Sequence, residues 1–529
     1  MWQQNYTPVG GSLPLSALAA ALPIFVLLLL LGVLRKPAWI SSLAGLGAAA
    51  LVAGGVYGMP WVRLASAAAY GAAFGLFPIG WVVFGAILLY RVTVESGKFG
   101  LLKDSIGHLT DDRRLQALLI AFAFGAFIEG AAGFGTPVPV AAAMLAGLGF
   151  SPFYAAAICL VANTAPVAFG AIGTPLVTLA AITGLPLDRL SAGVGRICAP
   201  VALILPAYLV LVMDGWTGLR GVLPAAAACG LAFAGTQFVV SNFVSPQLTD
   251  ILASLAATGA VIVAIRLRGG ARTRTTHSGR DLATAWAPYA LLVVFVLMWG
   301  YKPLLQRLNT ATLTFPWPLL HNLVRRMPPV APEPSPYAAV FTFNWLSSSG
   351  TACFLAALLG AAAAGLKPRQ FAGVVGRTAR RLALAELTLA AVLGLAFLMN
   401  YSGATATLGL AFAATGAVFP FFSALLGWLG VFLTGSDTSA NALFGSLQVV
   451  TAGRLGMNPV LMAAANSSGG VMGKMISLTS IAIAAAATGM RPEDEALLFR
   501  FTLKHSILLV SLVGLIVMFY AYVAPSWAP

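Results

Sequence analysis

Three ionisable residues stand alone in sequence otherwise fit for lipid. Glu129, within FIEGAAGFGTPVPV (127–140), is the only formal charge between Arg114 and Asp188. Asp437 is the only one between Glu386 and Arg454, and Lys474 the only one between Arg454 and Arg491. On insertion scales each costs about 2.5–3.5 kcal/mol at the centre of a membrane helix, so such residues line a cavity or pair, and they mark function.

One ammonium and two carboxylates suit a particular task. A small carboxylate has a pKa near that of Asp, about 3.9, so it arrives at neutral pH as an anion. Lys474 can supply the counter-charge. Asn163, Thr164, Asn466, Ser467 and free N–H groups at the starts of broken helices can supply hydrogen bonds. Carrying that anion inward against an inside-negative potential costs about 2.3 kcal/mol per 100 mV, and binding one proton per anion removes the cost. A carboxylic acid withdrawn from water favours its neutral form, so Glu129 or Asp437 is expected to carry the proton. The competing reading is a structural ion pair that locks two halves of the chain together.

Asp214, in VLVMDGWTGLRG, and Glu386, within two turns of Arg380 and Arg381, read instead as interfacial carboxylates paired to nearby arginines. His108, His277, His321 and His505 fall in loops or at a span boundary and receive no role. Cys159, Cys198, Cys229 and Cys353 lie singly in apolar stretches, with neither metal spacing nor a disulfide framework. No cofactor or metal is expected. A membrane-embedded enzyme is disfavoured because no nucleophile motif, metal-ligand set or soluble catalytic domain accompanies the acids.

The elements that must position these residues follow from composition. Of 529 residues, 59% are hydrophobic and 9% charged, with a mean hydropathy of +0.91, far from ordinary soluble domains. Apolar runs of about 17–25 residues recur, the length a bilayer demands of a helix. The expected class is an all-α polytopic membrane protein with 12–14 transmembrane helices, even in number; a barrel would show short alternating segments instead. The net charge of +15 sits in short loops rather than on one face, which fits positive-inside topology and not nucleic acid. Arg266, Arg268, Arg272, Arg274 and Arg280 crowd one loop, and Lys367, Arg369, Arg377, Arg380 and Arg381 another; both are expected to be cytoplasmic. The first apolar run is followed at once by Arg35 and Lys36, the reverse of a cleaved signal peptide, so it reads as a retained span. Both termini are then expected outside, as is a Pro-rich loop at about 302–338.

A basic linker at 266–283 divides the chain into hydrophobic halves, 1–265 and 284–529, and the halves echo each other. FIEGAAGFGTP is followed about thirty residues later by ANTAPVAFGAIGTP; FLTGSDTSANALFG is followed at a similar distance by ANSSGGVMGKMIS. Such repeats are expected to place a substrate site at their interface, built from broken helices or re-entrant segments near the midplane. AFLMNYSGATATLG is a rival partner for the first motif, and repeat orientation depends on which pairing holds. Gly130, Gly133, Gly135, Gly435, Gly469, Gly470 and Gly473 are candidate break glycines, against a reading in which small residues merely pack helices. Asn400, Tyr401, Ser402 and Asn441, inside these motifs, join the candidate substrate ligands.

FGAFIEGAAGFGTPV, NTAPVAFGAIGTP, MNYSGATATLG, GWLGVFLTGSDTSANALFG and ANSSGGVMGKMIS resemble the L-lactate permease family over nearly the whole chain, as do MWQQNYTPVG, RMPPV and FRFTLKHS. The resemblance implies a bacterial inner-membrane transporter that imports L-lactate, and also D-lactate and glycolate, by proton symport. Two departures stand out: Thr136 replaces a small apolar residue, and ISLTSIA lacks the family's proline after Lys474. Sodium coupling and an anion channel are the alternatives. Isolated buried carboxylates argue against a channel, since they would repel a permeant anion unless protonated.

Overall fold

Proline and small polar residues set where most helices begin. Asp112, Ser151, Ser278, Ser348, Ser436, Asn458 and Ser477 each accept a hydrogen bond from a backbone N–H of the helix they precede, and proline occupies the first turn after Ser151 and Asn458. In this computed structural model residues 1–107, 109–133, 135–267 and 278–529 are described. Arg268, Arg272, Arg274 and His277 of the basic linker, and His108, lie outside the described residues.

The chain is a polytopic helical membrane protein. Among the described residues eleven helices are long and apolar enough to span a membrane, or twelve if Pro152–Ala162 and Val167–Thr183, bent by 63°, form one span. That meets the expected range only at its lower edge, and the count takes the 57-residue Leu187–Phe243, which folds back at Gly215, as one helix. Helix Arg113–Ala131 is followed by Pro137–Gly147 across a short turn, and Phe419–Thr434 by Asp437–Leu455. Each pair is a helical hairpin. Each is followed by a broken helix: Pro152–Ala162 with Gly170–Thr183, and Pro459–Lys474 with Leu478–Thr488. The echoed motifs are the two hairpin tips and the two breaks, in that order.

The hairpins open on opposite faces of the bundle. The first has Asp112, Arg113, Arg114 and Phe150 grouped with Asp214, beside the fold-back at Gly215 in Leu187–Phe243 (φ 66°, ψ −167°). The far end of that fold-back is marked by Ser191 Oγ donating to Ser241 O at 2.8 Å. On that far face Arg196 donates to Trp527 O, Tyr522 to Ala417 O at the root of the second hairpin, and Asn458 to Pro529 O. Gln4 and Tyr6 group there with Arg454 and Leu455. Residues near both ends of the chain thus share one face of the bundle.

The segment expected as a loop at 302–338 is partly ordered into short strands. Trp2–Gln3 pairs in parallel with Val324–Arg326, which pairs with Ser335–Pro336, and Leu313–Pro316 pairs with Val340–Phe343. Packing also crosses the linker. Helix Pro368–Ser402 lies against Ala38–Gly55 and Trp61–Phe74, with Leu393, Leu395 and Leu398 buried among Leu27, Val52 and Leu64. A second apolar core, including Phe122, Phe124, Phe169, Phe233 and Val471, surrounds the hairpins and breaks.

Candidate functional site

Both hairpin tips and both helix breaks converge on one cavity of about 250 Å³. Glu129, Gly135, Gly170, Pro175, Gly435, Asp437, Lys474 and Ser480 are among its lining residues. Three helices begin at it. Ser436 caps Asp437–Leu455 and Ser477 caps Leu478–Thr488, while Gly170–Thr183 starts with Ala171, Ile172 and Gly173 in succession at φ 44°, 58° and 72°. Left-handed backbone at a non-glycine residue costs of order 1–3 kcal/mol and gathers at functional sites. Helix starts present uncommitted N–H groups and the positive end of the dipole, which suits an anion.

Lys474 ends the helix Pro459–Lys474 and is 9% exposed. Its Nζ donates to the Gly435 carbonyl at 2.6 Å. It is within electrostatic reach of Glu129 and of Asp437, yet among the described residues it makes no ion pair within 4 Å of either. A locked structural ion pair is therefore not what the geometry contains; an ammonium with N–H groups to spare faces the cavity.

Asp437 is held from behind. Its Oδ2 accepts from Ser467 Oγ at 2.6 Å and from Asn441 Nδ2 at 3.2 Å, while Oδ1 is buried without a hydrogen bond. Asn441 also donates to Pro175 O and accepts from Asn466 Nδ2 at 3.0 Å. The Asn466 carbonyl in turn accepts from Gln448 at 3.0 Å, and Gln448 is fixed by Ser423. Asn441, Asn466 and Ser467 consequently form a supporting layer around Asp437 rather than lining the cavity. Glu129 lies at the end of the first hairpin's inward helix, 4% exposed, with Oε2 buried and unpartnered. Gly170 admits it: a Cβ on Gly170 would lie 2.6 Å from Glu129 Oε1.

The remaining expectations divide. Asn163 is beside Glu129, but neither amide atom makes a hydrogen bond and the side chain does not line the cavity. Thr164 turns its hydroxyl back to Val161 O at 2.7 Å. Asn400, Tyr401 and Ser402 are withdrawn from the cavity altogether. Asn400 and Tyr401 offer their carbonyls to Gln4, Tyr401 donates to Ala338 O at 2.6 Å and stacks on Tyr337, and Ser402 bonds Met399 O. Tyr401 thus anchors a helix end to the strand-bearing segment, and Asn400 Nδ2 ties the same end to Ser446 Oγ at 3.0 Å.

Of the seven glycines, only Gly133, Gly135 and Gly435 occupy breaks, all with positive φ. Gly469 and Gly473 lie inside a continuous helix, where a Cβ would run into the carbonyls of Ala424 and Trp428; Gly470 faces Asp437 Oδ1, and Gly130 faces Asp250. They permit close approach. At the break after Lys474, Ser477 caps the next helix, accepting from Ser480 N at 3.2 Å. Thr136 spends its hydroxyl on Gly133 O at 2.7 Å, closing the first tip.

Residues 16–524 match the family model described as L-lactate permease. The chain belongs to the L-lactate permease family. It is 43% identical to the glycolate permease GlcA of Escherichia coli (strain K12) over 553 residues, 99% of this chain and 98% of that one. It is 44% identical to the L-lactate permease of Bacillus subtilis (strain 168), covering 97% of each. Among solved structures it is similar to the Alcanivorax borkumensis YdaH transporter, at a TM-score of 0.48 and 15% identity over 88% of each chain.

Within this family member, Asp214 and Glu386 stand apart from the cavity; Asp214 meets Arg114, distant in sequence, and the expected pairing of Glu386 with Arg380 or Arg381 is not found among the described residues. Asp214, half-exposed, is 3.7 Å from Arg114 of the first hairpin, which is 29% exposed. Glu386 faces Gly80 across a helix contact, its Oε1 unpartnered. Sequence reasoning missed the hydroxyls of Ser436, Thr438, Thr479 and Ser480 in the cavity wall, and it passed over Asp250. Thr-Asp ahead of an apolar run reads as a helix start at a membrane boundary, whereas Asp250 is 1% exposed.

Proposed function

We propose that the chain is a secondary transporter that imports L-lactate, with D-lactate and glycolate as further substrates, by proton symport across the bacterial inner membrane. The single observation that carries the reading is Lys474: a buried ammonium, unpaired by either nearby carboxylate, at a cavity where helix starts converge. A 2-hydroxy carboxylate offers the matching groups, an anion for Lys474 and the helix N-termini, and a hydroxyl for Ser436, Thr438, Thr479 or Ser480. The cavity lies below the range of about 300–1,000 Å³ typical for drug-sized ligands, in keeping with a three-carbon substrate. The methyl that separates lactate from glycolate is worth only about 1–3 kcal/mol in a pocket, so both are carried. The names of the relatives, L-lactate permease and glycolate permease, agree with this pair.

Glu129 and Asp437 are the proton-coupling candidates. Each has one buried carboxylate oxygen without a partner, and each faces the cavity. A proton carried with each anion makes import electrically neutral. The face bearing Arg35, Lys36, Arg113 and Arg114 is assigned to the cytoplasm by the positive-inside rule, which puts Trp2 and Trp527 outside. The hairpins then reach the cavity from opposite sides, as inverted repeats 1–265 and 284–529 joined by the linker at 266–283 would do.

The test is uptake of labelled L-lactate into proteoliposomes in sodium-free buffer under an inward proton gradient. Accumulation that collapses with a protonophore is expected. Accumulation that instead needs sodium overturns the coupling, and transport without trans-stimulated counterflow overturns the carrier. In Glu129→Gln, accumulation equal to that of the unaltered protein removes Glu129 from the mechanism.

A further inference from the structure

One buried acid is left unused by this reading. Asp250 opens the helix Thr249–Leu267, is 1% exposed, and neither of its carboxylate oxygens has a hydrogen-bond partner among the described residues. A buried polar atom without a partner costs about 1–3 kcal/mol, and more when it is charged, so a fully ionised Asp250 is out of place here.

Its position is set by Gly130. A Cβ at Gly130 would lie 2.7 Å from Asp250 Cβ and 3.2 Å from Ile251 N. The missing side chain lets Asp250 press against the first hairpin directly behind Glu129, the cavity-lining acid next in sequence. The two carboxylates are within electrostatic reach of each other, and Glu129 Oε2 is likewise buried and unpartnered. From the other packed elements, Leu187–Phe243 brings only the Cys198 thiol near Asp250, and Ala117–Phe124 (ALLIAFAF) brings no ionisable group. Lys474 acts on Glu129 and Asp437.

We infer that Asp250 and Glu129 are a proton-sharing pair, with Asp250 the rear site that holds a proton and passes it to the cavity-facing Glu129. Two like charges within electrostatic reach of each other in low dielectric oppose each other's ionisation, and one proton between them relieves the repulsion and the burial together. The two carboxylates make no direct hydrogen bond, so the transfer runs through one bridging water: the O–H bond on Asp250 breaks as one forms to the water, a water O–H bond breaks as one forms on Glu129, and the negative charge moves from Glu129 to Asp250. Nothing is oxidised or reduced. When the substrate anion draws on Lys474, Glu129 loses part of its counter-charge, which favours moving the proton forward.

The inference rests on the proton-symport reading for its role in transport, but not for the shared proton itself. Two measurements separate them. Infrared difference spectra of the purified full chain, with and without lactate, are expected to contain a carboxylic-acid C=O signal that changes in both Asp250→Asn and Glu129→Gln. Gradient-driven lactate accumulation in Asp250→Asn is expected to fall at least about tenfold, equivalent to about 1.4 kcal/mol, and to recover at least in part in Asp250→Glu. An unaltered C=O signal in Asp250→Asn, or accumulation equal to the unaltered protein, overturns the inference. So does failure of Asp250→Asn and Asp250→Glu alike with the signal intact, the result a purely structural role gives. If the unaltered protein needs no proton gradient while the signal still maps to Asp250 and Glu129, the symport reading fails and the shared proton stands.

Discussion

Replacing Lys474 with Gln isolates what its charge does. Nζ donates to Gly435 O at 2.6 Å, and Lys474 lines the cavity. A glutamine of similar length can keep a neutral hydrogen bond but not the charge. A unit charge pair at 4 Å is worth about 4 kcal/mol at an effective dielectric constant of about 20, and a neutral hydrogen bond returns about 1 kcal/mol. The difference, about 3 kcal/mol, corresponds to roughly 100-fold at about 1.4 kcal/mol per tenfold. The assay is the half-saturation concentration for lactate counterflow in proteoliposomes, which has no net driving force and so reports binding without coupling. Lys474→Arg keeps the charge and is expected to bind better than Lys474→Gln, although its broader planar head fits the Gly435 contact less well. A Lys474→Gln half-saturation within about threefold of the unaltered protein, under about 0.7 kcal/mol, would refute the reasoning and leave Lys474 as a strut for the second hairpin tip.

Three further outcomes follow from the geometry. Gly170→Ala puts a Cβ 2.6 Å from Glu129 Oε1; overpacking costs about 1–3 kcal/mol, so transport is expected to drop by about 5–150-fold. The control Gly235→Ala, where a Cβ meets nothing within 4 Å, is expected to match or exceed the unaltered thermal stability, since glycine inside a helix is about 0.5–1 kcal/mol worse than alanine. Ser477→Ala removes the cap of Leu478–Thr488, a loss of about 0.5–2 kcal/mol, and should lower the midpoint of thermal unfolding and weaken lactate binding together, because Thr479 and Ser480 line the cavity. Asp214→Asn breaks a solvated contact of 3.7 Å to Arg114 worth about 0–1 kcal/mol, so its transport rate should stay within about fivefold; a larger loss would give Asp214 a functional part that its exposure does not suggest.

The membrane class, the family and the three central ionisable residues were open to inspection in the sequence, because hydropathy and the isolation of a charge in lipid are properties of a linear string. Glu129, Asp437 and Lys474 do meet at one cavity. The echo of the two halves likewise identified the tips and breaks, since glycine, serine and asparagine interrupt apolar runs wherever a helix stops. Partner choice was decided only in three dimensions. Asn466 and Ser467 sit in a motif that reads as substrate-binding, yet the packing of Pro459–Lys474 against Asp437–Leu455 commits them to Asn441 and Asp437. Asn400, Tyr401 and Ser402 are as polar as true ligands, but their side chains are committed to Ser446, Ala338 O and Met399 O, away from the cavity. Whether a glycine breaks a helix or lets two helices touch is invisible without the neighbour, so Gly469 and Gly473 read the same as Gly435. Asp250 was hidden for the converse reason: its local sequence is that of a boundary residue, and only the approach of Gly130 from 120 residues away buries it behind Glu129. Composition determines which residues lipid rejects; tertiary packing determines which of them are left with a free bond to offer.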